Sequence, residues 1–152
     1  MSTSVTVLNG RTIGLAHYAT RAVAETVFES LGLTFHQEVA INGLGDRPGG
    51  GATRDDLITR LTTGLKIDDA AAAAVIEQLL DAGLATASGG DGGDPAVLAL
   101  TDTGRELHGR IQDGVKRIVA RIYGDLPAED LAVAARVLTV VTERANAILA
   151  EA

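Results

Sequence analysis

The stretch from Leu57 to Thr101, LITRLTTGLKIDDAAAAAVIEQLLDAGLATASGGDGGDPAVLALT, leaves the chain few ways to fold. It reads as a helix, a turn, a longer helix, a β-hairpin with a glycine-rich tip, and the start of another helix. Asp68 or Asp69 can cap the second of these helices, because a short carboxylate accepts from the free N–H groups of a first turn. Ala70 to Ala74 supply the highest helix propensity, and Val75, Ile76, Leu79 and Leu80 lay down an apolar stripe at helical spacing. Gly83 falls just past the last turn, where a left-handed C-cap needs a residue without Cβ. Leu84–Ser88 and Ala96–Leu100 are short segments around the turn-rich SGGDGGDP, which suits a hairpin. Helix, turn, helix, hairpin is a winged helix-turn-helix, so the expected fold is mainly α with a small β-hairpin wing.

The flanking segments are helical. Residues 1–10 read as a tail. From about Arg11 to Leu31, Ile13, Ala16, Thr20, Val23, Val27 and Leu31 mark one face of a first helix, closed by Gly32. Thr34 caps a second helix, FHQEVAINGL, and GDRPGGGA at 45–52, with four glycines and one proline, reads as a loop. Thr53 caps a third helix with Asp56 as a partial capping box. After the hairpin, Thr101 caps a helix striped by Leu107, Ile111, Val115, Ile118 and Ile122. Gly124 and Pro127 mark the turn into a last helix, striped by Leu131, Ala134, Leu138, Val141, Ala145 and Ile148. These terminal stripes are wider than a small domain needs, and a partner chain would bury the surplus.

Composition narrows the class. With 46% hydrophobic but only 3% aromatic residues, the core must be built from Leu, Val, Ile and Ala. There is no cysteine, hence no disulfide and no thiolate metal site. The sequence begins without a charged segment leading into a long apolar run, so no signal peptide is expected. No window approaches the roughly 18 apolar residues of a membrane span. A cytoplasmic protein with no membrane partner is the expectation.

GLTFHQ opening the second helix, DDLITRL, VIEQLLDAGL, LTDTGRE directly after the wing, and LPAEDLA opening the final helix give the chain a resemblance to the MarR family of winged-helix regulators. It runs over nearly the whole length. The resemblance implies a single MarR-like domain over 1–152, a winged lobe at 34–100, and dimerisation helices at 10–31 and 101–152. It further implies a homodimer, a small-molecule pocket between the dimer helices and the winged lobe, and ligand-controlled release from double-stranded DNA.

The sequence departs from that pattern where DNA would be read. Relatives place polar and basic residues on the recognition helix and an Asp-x-Arg in the wing; here stand Ala70–Ala74 and, after Asp94, Pro95 and Ala96. Between Leu65 and Pro95 one base, Lys66, faces six acids, Asp68, Asp69, Glu77, Asp81, Asp91 and Asp94, a net −5 of the chain's −7. Affinity for a duplex is built largely by Lys and Arg neutralising phosphates, and alanine offers base edges only methyl contact. The candidates for backbone contact are Arg47, Arg54, Arg60, Lys66 and Arg105.

His17, Tyr18 and Arg21 on the first helix, with His36 at the start of the second, are the candidate ligand-binding residues. A histidine, a phenol and a guanidinium in a mainly apolar cavity can orient an aromatic acid or polyketide-like molecule. Zinc-responsive relatives pair histidines one turn apart after the wing; His108 is followed one turn later by Gln112, so no metal site and no cofactor are expected, although His36, Glu38 and His108 could still approach one another. No nucleophile elbow, phosphate-binding loop, dinucleotide fingerprint or H-E-x-x-H is present, so no catalytic residue is assigned. Two functions fit: a MarR-like homodimeric transcriptional regulator modulated by a small ligand, or a winged-helix descendant that no longer reads DNA and serves as a small-molecule-binding protein or unusual enzyme. A third, docking of the acidic face on a basic protein, has only charge behind it.

Overall fold

The computed structural model describes residues 7–47, 50–90, 92–93 and 95–152. Along them run α1 (Gly10–Ser30), α2 (Phe35–Gly45), β1 (Ala52–Thr53), α3 (Arg54–Leu65), α4 (Asp69–Asp81), β2 (Ala85–Ser88), β3 (Val97–Leu100), α5 (Asp102–Tyr123) and α6 (Ala128–Ala150). The first six residues of the expected tail, Pro48 and Gly49 of the glycine loop, and Asp91 and Asp94 of the wing tip lie outside the described residues. Two compact units, Met1–Lys116 and Arg117–Ala152, divide the chain within α5.

Caps set the element boundaries. Asn9 accepts from the Thr12 amide at 3.1 Å, Thr53 from Asp56 at 3.1 Å and Asp68 from Ala71 at 2.7 Å. Each satisfies an orphan N–H of a first turn. Thr34 forms a complete capping box with Gln37: the hydroxyl accepts from the Gln37 amide, and the Gln37 side chain accepts from the Thr34 amide. At the other ends, Gly32 and Gly83 both take positive φ. Leu33 N–H reaches Phe28 O at 2.8 Å and Leu84 N–H reaches Leu79 O at 3.0 Å, the long bond of a Schellman motif.

The wing is larger than the expected hairpin. β3 is the centre of a three-stranded antiparallel sheet ordered β1-β3-β2. Ala85 stands opposite Leu100 and Ser88 opposite Val97, while Ala52 stands opposite Leu98 and Thr53 opposite Val97. Two residues carry no periodicity that would reveal β1. Gly51 lets the chain enter it: a Cβ there would sit 2.9 Å from the Leu98 carbonyl oxygen.

The core of the first unit is aliphatic, as the composition requires. Ile41 and Leu44 of α2, Leu57 and Leu61 of α3, Ile76 and Leu79 of α4, Leu98 of β3 and Ile111 of α5 are all fully buried. Burying each such side chain contributes about 1.5–3 kcal/mol. Ala72, from the middle of the alanine run, lies in the same core with no exposed surface. Thr101 locks the wing to α5 by accepting from the Gly104 amide while donating to Gly83 O at 2.7 Å. At Gly104 a methyl group would overlap the Leu84 carbonyl oxygen, so this corner of α5 closes only around glycine. The helix-turn-helix is thus held rigidly against its wing.

The second unit has no core of its own. No residue of α6 is buried, and Val133, Val137, Leu138, Val140, Val141, Ile148 and Leu149 are all exposed. These residues form an apolar arc spanning about half the helix.

Candidate ligand groove and nucleic-acid face

A groove of about 540 Å³ opens between α1, the start of α2 and α4. Its walls follow from helical spacing. Arg21, Glu25 and Glu29 lie one turn apart on α1, and Ala71, Ala74, Val75 and Gln78 line one face of α4. Leu33, Thr34, Phe35 and His36 close the end between them. The Arg21 guanidinium lies 4.2 Å from the centre of the Phe35 ring and donates from Nε to Glu25 at 2.9 Å. It is held both by the ring face and by charge. Phe35 also packs edge-on to His36 at 6.4 Å and tilted against Phe28 at 6.3 Å. The groove therefore offers an aromatic floor, an imidazole and a guanidinium held by Glu25, with the Glu29 carboxylate further along the same wall.

Of the ligand candidates, Arg21 and His36 line this groove. His17 and Tyr18 do not. Their rings tilt against each other at 5.7 Å, and Tyr18 is 70% exposed. Glu38 turns the other way, towards α5, where it lines a smaller cavity with Asn42, Asp46, Ile111, Gln112, Val115 and Lys116. His108 binds Asp46 at 3.2 Å beside it. Among the described residues no group of three His, Cys, Asp or Glu side chains could hold a metal ion. His36, Glu38 and His108 are parted because successive α2 residues face different neighbours.

Among the described residues Glu38 is the one charged residue that is buried, 7% exposed, and it accepts from the Asn42 side-chain amide. Burial raises its pKa above the ordinary value; the Asn42 bond lowers it and the Asp46 charge raises it. A raised folded-state pKa means that Glu38 favours folding at acidic pH, and that this contribution is lost as pH rises through the folded pKa. We expect the melting temperature to fall as pH is taken from the ordinary glutamate range upward towards neutrality. In Glu38→Gln, which cannot ionise, that part of the slope should be absent. Parallel slopes in thermal melts of the two proteins would refute this.

The candidate reading face lies on α4. Asp69, Ala70, Ala74, Glu77, Gln78 and Asp81 are exposed there. The bases near it are engaged by the chain itself. Arg54 pairs with Glu77 at 2.7 Å and Arg47 with Asp56 at 3.7 Å. Arg105 pairs with Asp102 and donates to Leu100 O at 2.8 Å. Lys66 Nζ donates to Thr63 O at 2.6 Å. The Arg60 stem lies over α2, where a Cβ on Gly43 would approach its Cδ and Nε to 3.3 Å. Arg54–Glu77 joins residues 23 apart in sequence, and no local spacing announces it.

A helix-turn-helix pair locked to a sheet-borne wing, with long helices before and after it, defines a winged helix-turn-helix protein. Solved structures similar to it sharpen the description. NadR in complex with 4-hydroxyphenylacetate matches with a TM-score of 0.71 at 18% identity, over 93% of this chain and 97% of that one. CouR from Rhodococcus jostii RHA1 bound to p-coumaroyl-CoA gives 0.72 at 15%, over 88% and 90%. A mutant MarR from E. coli complexed with operator DNA gives 0.71 at 16%, over 87% and 91%. The chain has the MarR-like winged-helix fold. No protein-family model and no curated protein matches the sequence. Among the described residues, no helix is long and apolar enough to cross a membrane.

Proposed function

We propose that the protein is a cytoplasmic, homodimeric transcriptional regulator of MarR type whose weak contact with double-stranded DNA is modulated by a small aromatic ligand. The observation that carries this reading is the position of the groove: one of its walls is the recognition helix itself. A molecule stacked on Phe35 and held by Arg21 and His36 would touch Ala71, Ala74 and Val75, so binding and reading share one element. The small-molecule and operator complexes of similarly folded proteins support the same pairing of ligand and DNA. The dimer is built by α1, α5 and α6, and DNA is met by Arg47, Arg54, Arg60, Lys66 and Arg105 around α4.

The test is fluorescence anisotropy against the DNA flanking its gene, at low and near-physiological salt. Binding that weakens steeply with salt, and is relieved by an aromatic acid such as 4-hydroxyphenylacetate, is the expected result. Arg21→Ala should lower the affinity for that acid about ten-fold or more, since a charge-assisted bond contributes about 1.5–3 kcal/mol. It should leave DNA affinity in the absence of the acid unchanged. No DNA binding even at low salt would replace this reading with the second, a winged-helix descendant that binds or transforms small molecules. The acid-paired bases and acidic segment favour that second reading.

A further inference from the structure

Gln37 does two things at once. Its side-chain oxygen closes the capping box of α2 by accepting from the Thr34 amide at 3.0 Å. Its side-chain nitrogen donates to the side-chain oxygen of Gln78 on α4 at 3.0 Å, across 41 residues of sequence. Gln78 in turn lines the groove together with Thr34, so the tie between α2 and α4 is laid along the wall an occupant would touch. On the preceding residue of α4, Glu77 is held by Arg54 of α3. Adjacent residues thus tie the second half of α4 to two different helices, and of these ties only that of Gln78 borders the groove.

We infer that Gln78 is the sensor of the groove: an occupant bearing a hydrogen-bond donor takes its side-chain oxygen from Gln37 and so unties α4 from the start of α2. This rests on the ligand groove proposed above. It specifies the ligand further: a flat apolar body on Phe35 and Val75, an anionic end for Arg21, and a neutral donor such as a phenol for Gln78. Gln78 is a positioning residue for α4, because it acts on the reading face through the helix that carries it.

Hydrogen exchange on the full-length protein tests this, with 4-hydroxyphenylacetate as probe. In the wild type the probe should slow exchange at the start of α2, where it binds, and speed exchange along α4 about two- to three-fold, the lower range for one net hydrogen bond at an exposed site. In Gln78→Met, which keeps the volume and loses the acceptor, α4 should already exchange at the faster rate without probe. Adding probe should still protect α2 and change α4 no further. Gln78→Glu, which retains an oxygen acceptor for Gln37, should behave as the wild type before probe is added. Slow α4 exchange in probe-free Gln78→Met would overturn the inference, because the tie would then hold nothing. A probe that leaves α2 unprotected in the wild type would overturn the groove reading and the sensing with it, whatever the probe-free comparison shows. A probe effect on α4 of equal size in wild type and Gln78→Met would keep the groove and remove Gln78 as its sensor.

Discussion

Placing glutamate at both Val137 and Val141 is expected to convert the proposed homodimer to a monomer. The two residues lie one turn apart near the middle of α6, and each is about two-fifths exposed, at 39% and 41%. Val133, Val140 and Ile148 continue the same side of the helix. A helix whose apolar arc finds no cover within its own unit is covered by another chain or fails to stay soluble. In a two-fold dimer each substitution is counted twice, so four unpaired carboxylates would be forced into an apolar contact. Removing a buried charge from its partner, or burying one without any, costs about 3–5 kcal/mol. Even if each carboxylate escapes most of that cost by turning to the rim, a total above about 4 kcal/mol raises the dissociation constant about a thousand-fold. Light scattering coupled to size-exclusion chromatography should report twice the chain mass for the wild type and a single chain mass for V137E/V141E. The winged lobe keeps its own core, so the circular dichroism of the variant should remain largely helical. A wild type that elutes as a monomer, or a variant that stays dimeric, would refute the assignment of α6 to the interface.

The winged lobe was legible in the sequence because its boundaries are written in local chemistry. Thr34, Thr53, Asp68 and Thr101 cap the helices they precede, and Gly32 and Gly83 end the helices they follow, each through bonds spanning three to five residues. Such contacts depend on neighbours in the chain, and spacing reveals them. β1 escaped because two residues cannot show a period and because its partner, β3, lies more than forty residues on. Arg21 and His36 line one groove, but their neighbours His17 and Tyr18 do not. His17 lies a full turn before Arg21, past the last α1 residue of the groove wall, so a cluster in sequence is divided in space. The alanine run shows the same limit. Ala72 is core, Ala71 and Ala74 are groove wall, and Ala70 is exposed surface, three roles for one residue type that only the packing separates. The Gln37–Gln78 and Arg54–Glu77 contacts depend on how α2, α3 and α4 cross. No motif encodes that.

Neutralising Asp69 and Glu77 together is expected to strengthen DNA binding. Both are exposed on α4, and Glu77 holds Arg54 in an ion pair at 2.7 Å. An exposed pair of this kind contributes only about 0–1 kcal/mol to stability. Glu77→Gln should therefore leave the fold intact while freeing the guanidinium for a phosphate. A carboxylate about 8 Å from a phosphate repels it by about 0.5 kcal/mol in water. Two acids in each of two protomers then amount to about 2 kcal/mol, or roughly a thirty-fold gain in affinity at low salt for D69N/E77Q. Screening over about 8 Å at physiological ionic strength should shrink that gain. The released arginine should steepen the dependence of affinity on salt, because more counterions leave the duplex on binding. Anisotropy titrations of both proteins at several salt concentrations measure affinity and slope together. A gain without a steeper slope would mean that the acids repel but Arg54 makes no contact. If D69N/E77Q binds no better than the wild type, α4 does not approach the duplex. The acidic charge would then be a consequence of a reading face no longer used, and the groove behind it would be what the fold retains.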